Sequence, residues 1–323
     1  MRDKNVKTSY DNASTLDSDR VLLSIQDRCN QWISEQKSRH IDTMYAHIKS
    51  GKMLRSKLIL AILPLESYVN QTDKILDLCA IVELIQCASL LHDDVIDEAD
   101  TRRGRASINV SFGNKNAIML GVVLYSNAYV KLCDFEPSIA STIAQAVSHL
   151  ARGEIEDVSY SGNFQPDLEI YYRILSDKTA SLIAACAKAA ALFGGLDSSA
   201  YEAYGYNLGM AFQVVDDILD ITQDKAILGK PAMNDVREGK STLPYILLYH
   251  TLSSNEKEHF LRLFTKADEK SIAALRNMLL DSSALAESKQ IAQDFIQKAK
   301  QAIAQENNAR LIQIAQAMIE RNF

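Results

Sequence analysis

The chain has 323 residues, 47% of them apolar, and carries a formal net charge of −6, with a sequence pI near 5.6. That length supplies a sizeable core, and the acidic balance excludes the concentrated basic face that nucleic-acid binding requires. The five cysteines are odd in number, scattered and without a C-x-x-C pair, which argues against a disulfide framework or a zinc site and fits a reducing cytoplasm.

Residues 1–17 are dominated by Asp, Asn, Ser, Thr and Lys and read as a flexible N-terminal arm. Residues 18–323 read as a single all-helical domain, because only five prolines and twelve glycines interrupt long tracts rich in Ala, Leu, Ile, Lys, Glu and Gln. The predicted fold class is therefore all-α, a large helix bundle. Breaks are expected at Ser50-Gly51, Asn70-Gln71, Gly104-Arg105, Asp134–Pro137, Ser161–Pro166, Gly194-Gly195 and Leu228–Pro231. The segments 73–98, 139–160, 167–193 and 198–222 are more apolar than one amphipathic stripe requires, which predicts central helices. Residues 254–323 read as amphipathic outer helices. The polar start, Met1 to Arg20, lacks the apolar core of a signal peptide. The most apolar stretches, near Ala117–Tyr125 and Leu182–Phe193, are shorter than about 18 uninterrupted apolar residues or contain Lys188, so no membrane span is expected.

Two acidic triads dominate the functional reading. Leu90-Leu91-His92-Asp93-Asp94-Val95-Ile96-Asp97 and Val214-Val215-Asp216-Asp217-Ile218-Leu219-Asp220 share the order Asp-Asp-aliphatic-aliphatic-Asp. On a helix Asp93 projects with Asp97, and Asp216 with Asp220, one turn apart on one face. Such carboxylates repel one another unless a cation joins them. Mg²⁺ suits the pattern, since it is held by one or two carboxylates while substrate phosphates and water complete its shell. A solvated acidic face would explain one such triad, but not two in apolar surroundings.

Cations accompany the triads. Gly51-Lys52-Met53-Leu54-Arg55 places two of them at an expected helix start, where unpaired N–H groups favour an anion. Arg102-Arg103-Gly104-Arg105 follows the first triad, while Lys230 and Glu238-Gly239-Lys240-Ser241-Thr242-Leu243-Pro244 follow the second. A metal cluster and a separate cationic set suit two diphosphates.

Across roughly residues 45–245 the chain resembles the trans-isoprenyl diphosphate synthases, the head-to-tail polyprenyl synthetases. Leu90–Arg103 resembles the first aspartate-rich motif with its arginine pair, and Gly209–Asp220 the second. Gly51–Arg55 resembles the GKxxR element, Lys178-Thr179-Ala180 the KT dipeptide, and Gly239–Pro244 the closing loop. The resemblance implies an isoprenoid-synthase-type bundle with a central cavity and a Mg²⁺-dependent prenyltransferase, in which isopentenyl diphosphate attacks the cation formed from an allylic diphosphate. It implies Asp93, Asp97, Asp216, Asp217 and Asp220 as metal ligands, with three ions when both substrates are bound. Asp94 is the weaker ligand, since on a helix it points about 100° from Asp93. Arg102, Lys178, Lys240 and Lys230 would bind the allylic diphosphate, and Lys52, Arg55 and Arg103 isopentenyl diphosphate. Thr179 and Gln213 would turn oxygen dipoles toward the developing cation. The released diphosphate takes the proton, so no protein base is sought, and His92 reads as a partner orienting a carboxylate.

Three residues depart from the family pattern: Gln86 replaces a histidine that contacts isopentenyl diphosphate, Ser56 replaces a proline, and Val122 replaces an aspartate. Ala88 and Ser89 are small where short-chain members carry a bulky tunnel floor, which predicts a product of about C30 to C50 because residues one turn before the triad share its face. Tyr125 or Tyr129 would supply a deeper floor. The expected product is an octaprenyl-like diphosphate for quinone side chains, and the expected assembly is a homodimer, cytoplasmic, touching a membrane only peripherally to release product. The rival readings are a short-chain farnesyl or geranylgeranyl diphosphate synthase, a class I terpene cyclase, and a non-catalytic subunit of a heteromeric synthase. Both triads are intact, which argues against the last, and the second diphosphate's cations argue against the cyclase.

Overall fold

The computed structural model describes residues 7–223, 233–306 and 308–319. It divides into two compact units, Met1–Ala140 and Ser141–Phe323, and each is almost wholly helical.

The first unit contains α1 (Lys7–Ser34), α2 (Arg39–His47), α3 (Leu54–Ile62), two short 3₁₀ turns at Leu65–Ser67 and Val69–Gln71, and α4 (Thr72–Ile96). A two-stranded hairpin, β1 (Thr101–Arg102) and β2 (Arg105–Ala106), leads into α5 (Ile108–Phe112) and α6 (Asn114–Leu132). The first helix begins at Lys7, inside the stretch expected to be a loose arm, whose residues 1–6 lie outside the described residues. Residues 1–34 contain neither proline nor glycine, so nothing local stops that helix.

The centre of this unit is α4, which packs against α6, α1 and α3. Ile75, Leu78, Cys79, Ile81, Val82, Leu84, Ile85 and Ala88 are all fully buried on it, which explains an apolar tract wider than one stripe. Arg28 of α1 clamps its start, donating to Asp73 at 2.8 Å and to Asp77 at 2.6 Å. Among the described residues one helical stretch, Val69–Ile96, is long and apolar enough to cross a membrane; 61% of its most apolar window is buried inside the protein, as befits a core helix.

The second unit takes in most of α7 (Pro137–Tyr160), followed by α8 (Leu168–Leu175), a π-helical turn (Ser176–Ala180), α9 (Ser181–Gly194) and α10 (Ser198–Thr222). Then come α11 (Asn234–Arg237), α12 (Leu243–Thr251), α13 (Ser254–Lys266), α14 (Glu269–Leu280), α15 (Ala284–Ala302) and α16 (Ala309–Ile319). The tract 167–193, expected to be one central helix, is thus two helices joined by a π turn. The tract 139–160 differs in another way: α7 buries a single stripe of Ile139, Ile143, Ala146 and Leu150, while Ile155 is 68% exposed. The expected break at Leu228–Pro231 lies outside the described residues.

Helix α10 is the centre of the second unit and packs against α15, α9 and the π turn. Close packing there depends on small residues. Ala184, Ala185, Ala187, Ala189, Ala190 and Ala191 are buried on α9. A Cβ added at Gly205 would stand 2.8 Å from the Ala184 Cα, and one at Gly209 would stand 2.6 Å from the Ala180 Cα. Gly209 therefore fixes how near α10 lies to the turn that carries Lys178 and Thr179. Gly209→Ala is expected to destabilise the protein by about 1–3 kcal/mol, because the clash is with backbone and outweighs the helix propensity of alanine. The measurement is the midpoint of urea unfolding; an unchanged midpoint would show that the two elements separate without cost.

Candidate active site

In the first unit the acidic triad occupies the C-terminal end of α4. Asp97 caps the helix and its N–H donates to the Asp93 carbonyl at 2.8 Å. A helix C-terminus carries partial negative charge, so carboxylates there are held at a cost until a cation joins them. The Asp93 and Asp97 side chains are both half-buried, whereas Asp94 turns inward and is 3% exposed. Arg102 Nε donates to Asp94 Oδ1 at 2.7 Å, and Nη2 binds the same oxygen. Burial pushes the Asp94 carboxyl above its ordinary value, against the pull of Arg102. Asp94 thus serves an ion pair with Arg102, which the sequence reading did not name.

The hairpin that follows explains how Arg103 is aimed. Arg102 pairs with Arg105 across a two-residue turn, and Arg103 and Gly104 have φ of 53° and 74°, as a type I′ turn requires at both positions. Arg103 Nη1 donates to the Lys49 carbonyl at 2.7 Å. Its guanidinium lies against Gly51, where a Cβ would stand 2.5 Å from Nη2. The arginine pair and the Gly51 element, distant in sequence, are therefore neighbours. Lys52 is exposed and Arg55 half-buried in the first turn of α3, which Met53 enters with a left-handed φ of 50°. Non-glycine residues at positive φ cost free energy and gather at functional sites. A cleft beside them is lined by His47, Lys49, Cys87, Asp94, Arg102 and Arg103.

Ser56 does what a proline could not. Its N–H and hydroxyl both donate to Glu83 Oε1, at 3.3 and 2.7 Å, tying α3 to α4 one turn before Gln86. Ser89 donates to the Gln86 carbonyl at 3.0 Å and is half-buried. Ala88 is fully buried in the unit's core, so of the two small residues Ser89 is the one with surface to offer. Tyr125 and Tyr129 stack with ring centroids 6.2 Å apart, and Tyr125 packs on His92 at 5.7 Å. His92 Nε2 lies 3.0 Å from the Ile118 carbonyl, which can only accept, so this nitrogen carries the proton. Gly121 makes room for the ring: a Cβ there would stand 2.3 Å from Nε2. His92 thus fastens the end of α4 to α6 through a backbone carbonyl, a different contact from the carboxylate it was expected to orient.

In the second unit the π turn presents Lys178 and Thr179. Such turns widen a helix by one residue and recur at functional sites. Arg152 clamps Asp177 through two bonds of 2.5 and 2.6 Å, and a Cβ at Gly153 would stand 2.6 Å from the Lys178 nitrogen. Thr179 Oγ1 donates to Gln213 Oε1 at 3.0 Å, and Gln213 Nε2 donates to Asp217 Oδ1 at 3.0 Å. Tyr171 donates to the other Asp217 oxygen at 2.7 Å. Burial pushes the Asp217 carboxyl up to about 7, helped by Asp216 and opposed by Gln213 and Tyr171.

The second triad therefore divides by role in this structure. Asp217 is 2% exposed and holds Gln213 and Tyr171, while Asp220 is 1% exposed. The two Asp220 oxygens accept the N–H groups of Asn234 and Asp235 at 3.2 and 3.1 Å, which caps α11. Asp216 is half-buried. Lys240 pairs with Glu238 at 2.6 Å, in a loop whose Gly239 carbonyl accepts from the Gly162 N–H at 3.1 Å. Lys230 lies outside the described residues. Sequence reasoning missed Glu83, Glu154, Asp157 and Tyr171. Glu154 and Asp157, three apart just after Gly153, carried a signal that could have found them: two acids on one face of a helix.

The donors fit Mg²⁺. Asp93, Asp97 and Asp216 offer hard, half-buried carboxylate oxygens near helix C-termini. A metal that takes few protein carboxylates and completes its shell with phosphate and water suits that arrangement.

Residues 38–280 match the family described as Polyprenyl synthetase. The chain is 36% identical over 261 residues to a Neurospora crassa protein named "Probable hexaprenyl pyrophosphate synthase, mitochondrial"; the match covers 76% of this chain and 57% of that protein. It is 30% identical to the short chain isoprenyl diphosphate synthase of Methanothermobacter thermautotrophicus, covering 95% of this chain and 96% of the relative. Among solved structures, octaprenyl pyrophosphate synthase from Helicobacter pylori superposes with a TM-score of 0.90 at 45% identity, over 94% of this chain and 99% of that one.

The capping role of Asp220 is directly testable. Asp220→Ala is expected to cost about 1–2 kcal/mol of stability without added metal, read in the urea midpoint; no loss would mean that its carboxylate is free for another use.

Proposed function

The chain belongs to the polyprenyl synthetase family, and from that premise we propose that it adds isopentenyl diphosphate head-to-tail to an allylic diphosphate, building a long-chain polyprenyl diphosphate of octaprenyl-like length. The observation that carries the reading is the acidic end of α4 followed at once by the Arg102-Arg103 hairpin, so that a metal-binding carboxylate pair and diphosphate-binding cations stand together. The likeness to an octaprenyl pyrophosphate synthase at 45% identity supports the long product, as does the small, half-buried Ser89.

Asp93, Asp97 and Asp216 would hold Mg²⁺, with three ions expected when both substrates are bound, and Asp217 and Asp220 stand beside Asp216 on α10. Mg²⁺, when bound, neutralises the charge that develops on the departing diphosphate. Lys178, Lys240 and Lys230 bind that diphosphate, and Arg102 joins them by leaving Asp94. Lys52, Arg55 and Arg103 bind isopentenyl diphosphate, with Gln86 offering an uncharged hydrogen bond. Because the Thr179 proton is committed to Gln213, its oxygen presents lone pairs to the allylic cation. The diphosphate leaves with the proton from the new C–C bond's neighbouring carbon. Ser89 lines the path of the growing tail and the stacked Tyr125 and Tyr129 limit it. Residues 18–323 act as one catalytic domain, and the protein works as a cytoplasmic homodimer whose product is handed to a membrane.

Asp93→Ala is expected to lower kcat by about 100-fold or more, since the ligand acts chiefly as charge develops in the transition state; activity near wild type would remove the metal role from α4. In a product-length assay Ser89→Phe is expected to give shorter prenyl chains, whereas an unchanged product would take Ser89 out of the tunnel.

A further inference from the structure

We propose that Glu154 and Asp157 of α7 are positioning residues for the reaction, a carboxylate pair that fixes the Lys178 ammonium so that its remaining N–H meets the allylic diphosphate. The inference rests on the reading of Lys178 as a diphosphate ligand. An ammonium has three N–H donors. In the structure Lys178 Nζ lies 2.7 Å from Glu154 Oε2 and 2.6 Å from Asp157 Oδ2, which commits two of them in defined directions. The two acids stand three positions apart on one face of α7, with side chains 12% and 17% exposed.

The surroundings are built around this contact. Gly153 admits the Lys178 backbone against α7, and Arg152 holds the neighbouring Asp177, so this stretch of α7 contacts both residue 177 and residue 178. The second Glu154 oxygen, Oε1, is buried without a hydrogen-bond partner. A buried carboxylate with an unmet oxygen is costly, and the Lys178 ammonium is the contact that offsets that cost. Lysine has a flexible four-carbon stem and a compact charge, so holding it in place before substrate arrives lowers the cost of aligning it during reaction.

The charges that face Lys178 are Asp157 and Glu154 from α7 and Lys240 from the closing loop, the last itself paired with Glu238. Burial works against the Lys178 charge and so does Lys240, but Asp157 and Glu154 outweigh them and hold the lysine above its ordinary value. Without the pair, a half-buried lysine beside a second lysine would lose its proton at lower pH.

The test compares wild type, Glu154→Gln, Asp157→Asn, the double variant and Lys178→Ala in the full-length protein, with steady-state elongation measured against pH. The double variant is expected to lose about tenfold or more in kcat/KM for the allylic substrate through lost alignment, to keep its KM for isopentenyl diphosphate, and to shift the alkaline limb of its profile to lower pH. A purely structural role would lower the melting temperature and leave that limb in place, and this result would overturn the proposal. Glu154→Gln alone, nearly isosteric, provides the same reading if the double variant folds poorly. Wild-type kinetics in Lys178→Ala would overturn both the clamp and the role of Lys178, whereas a wild type that elongates no primer would instead remove the proposed function.

Discussion

Like charge at the negative ends of helices is the constraint on which the rest of the site depends. Both α4 and α10 are 25 residues long and both carry three aspartates in their last turns. Helix dipole and mutual repulsion act against those carboxylates together. The chain answers this in two ways. Some of the carboxylates are neutralised or capped internally, as Asp94 is by Arg102 and Asp220 by two backbone N–H groups. Others stay half-buried, where a divalent cation and its phosphate can reach them.

The cations show the complementary pattern. Arg102 is held by Asp94, Lys178 by Glu154 and Asp157, and Lys240 by Glu238. Within each unit these cations are thus held by carboxylates, and under the proposed function a diphosphate would bind by exchanging partners as well as by adding charge. Exchange suits catalysis better than a naked cationic patch, since uniformly tight ground-state binding would not raise kcat. Glycines leave room for these groups: Gly51 and Gly121 lie against the Arg103 and His92 side chains, and Gly153 and Gly209 against the backbone of the π turn.

Much of this was legible in the sequence, and the exceptions have physical reasons. The helical class followed from scarce proline and glycine, and the triads stood out because acids in an apolar helix need a purpose. The 100° rotation between adjacent helical residues points Asp94 away from Asp93, and in the structure Asp94 is buried against Arg102. The partners of Asp217 and Asp220, Tyr171 and the start of α11, come from remote segments and no local rule could name them. The π turn left no periodicity signature within an apolar tract; only Gly153 and Gly209 hinted at a close approach. The hairpin at Arg103-Gly104 is too short for strand alternation to appear. Ser56 read as a lost proline, and only the structure shows the bond it gains to Glu83.

The central claim is prenyl elongation driven by these carboxylates, and it is tested most directly by incubating the purified protein with radiolabelled isopentenyl diphosphate and, separately, geranyl, farnesyl or geranylgeranyl diphosphate. Products would be dephosphorylated and sized, with and without Mg²⁺. The account predicts a Mg²⁺-dependent ladder ending at one long prenyl alcohol. No incorporation with any primer, or a product that is a cyclised hydrocarbon, would contradict it.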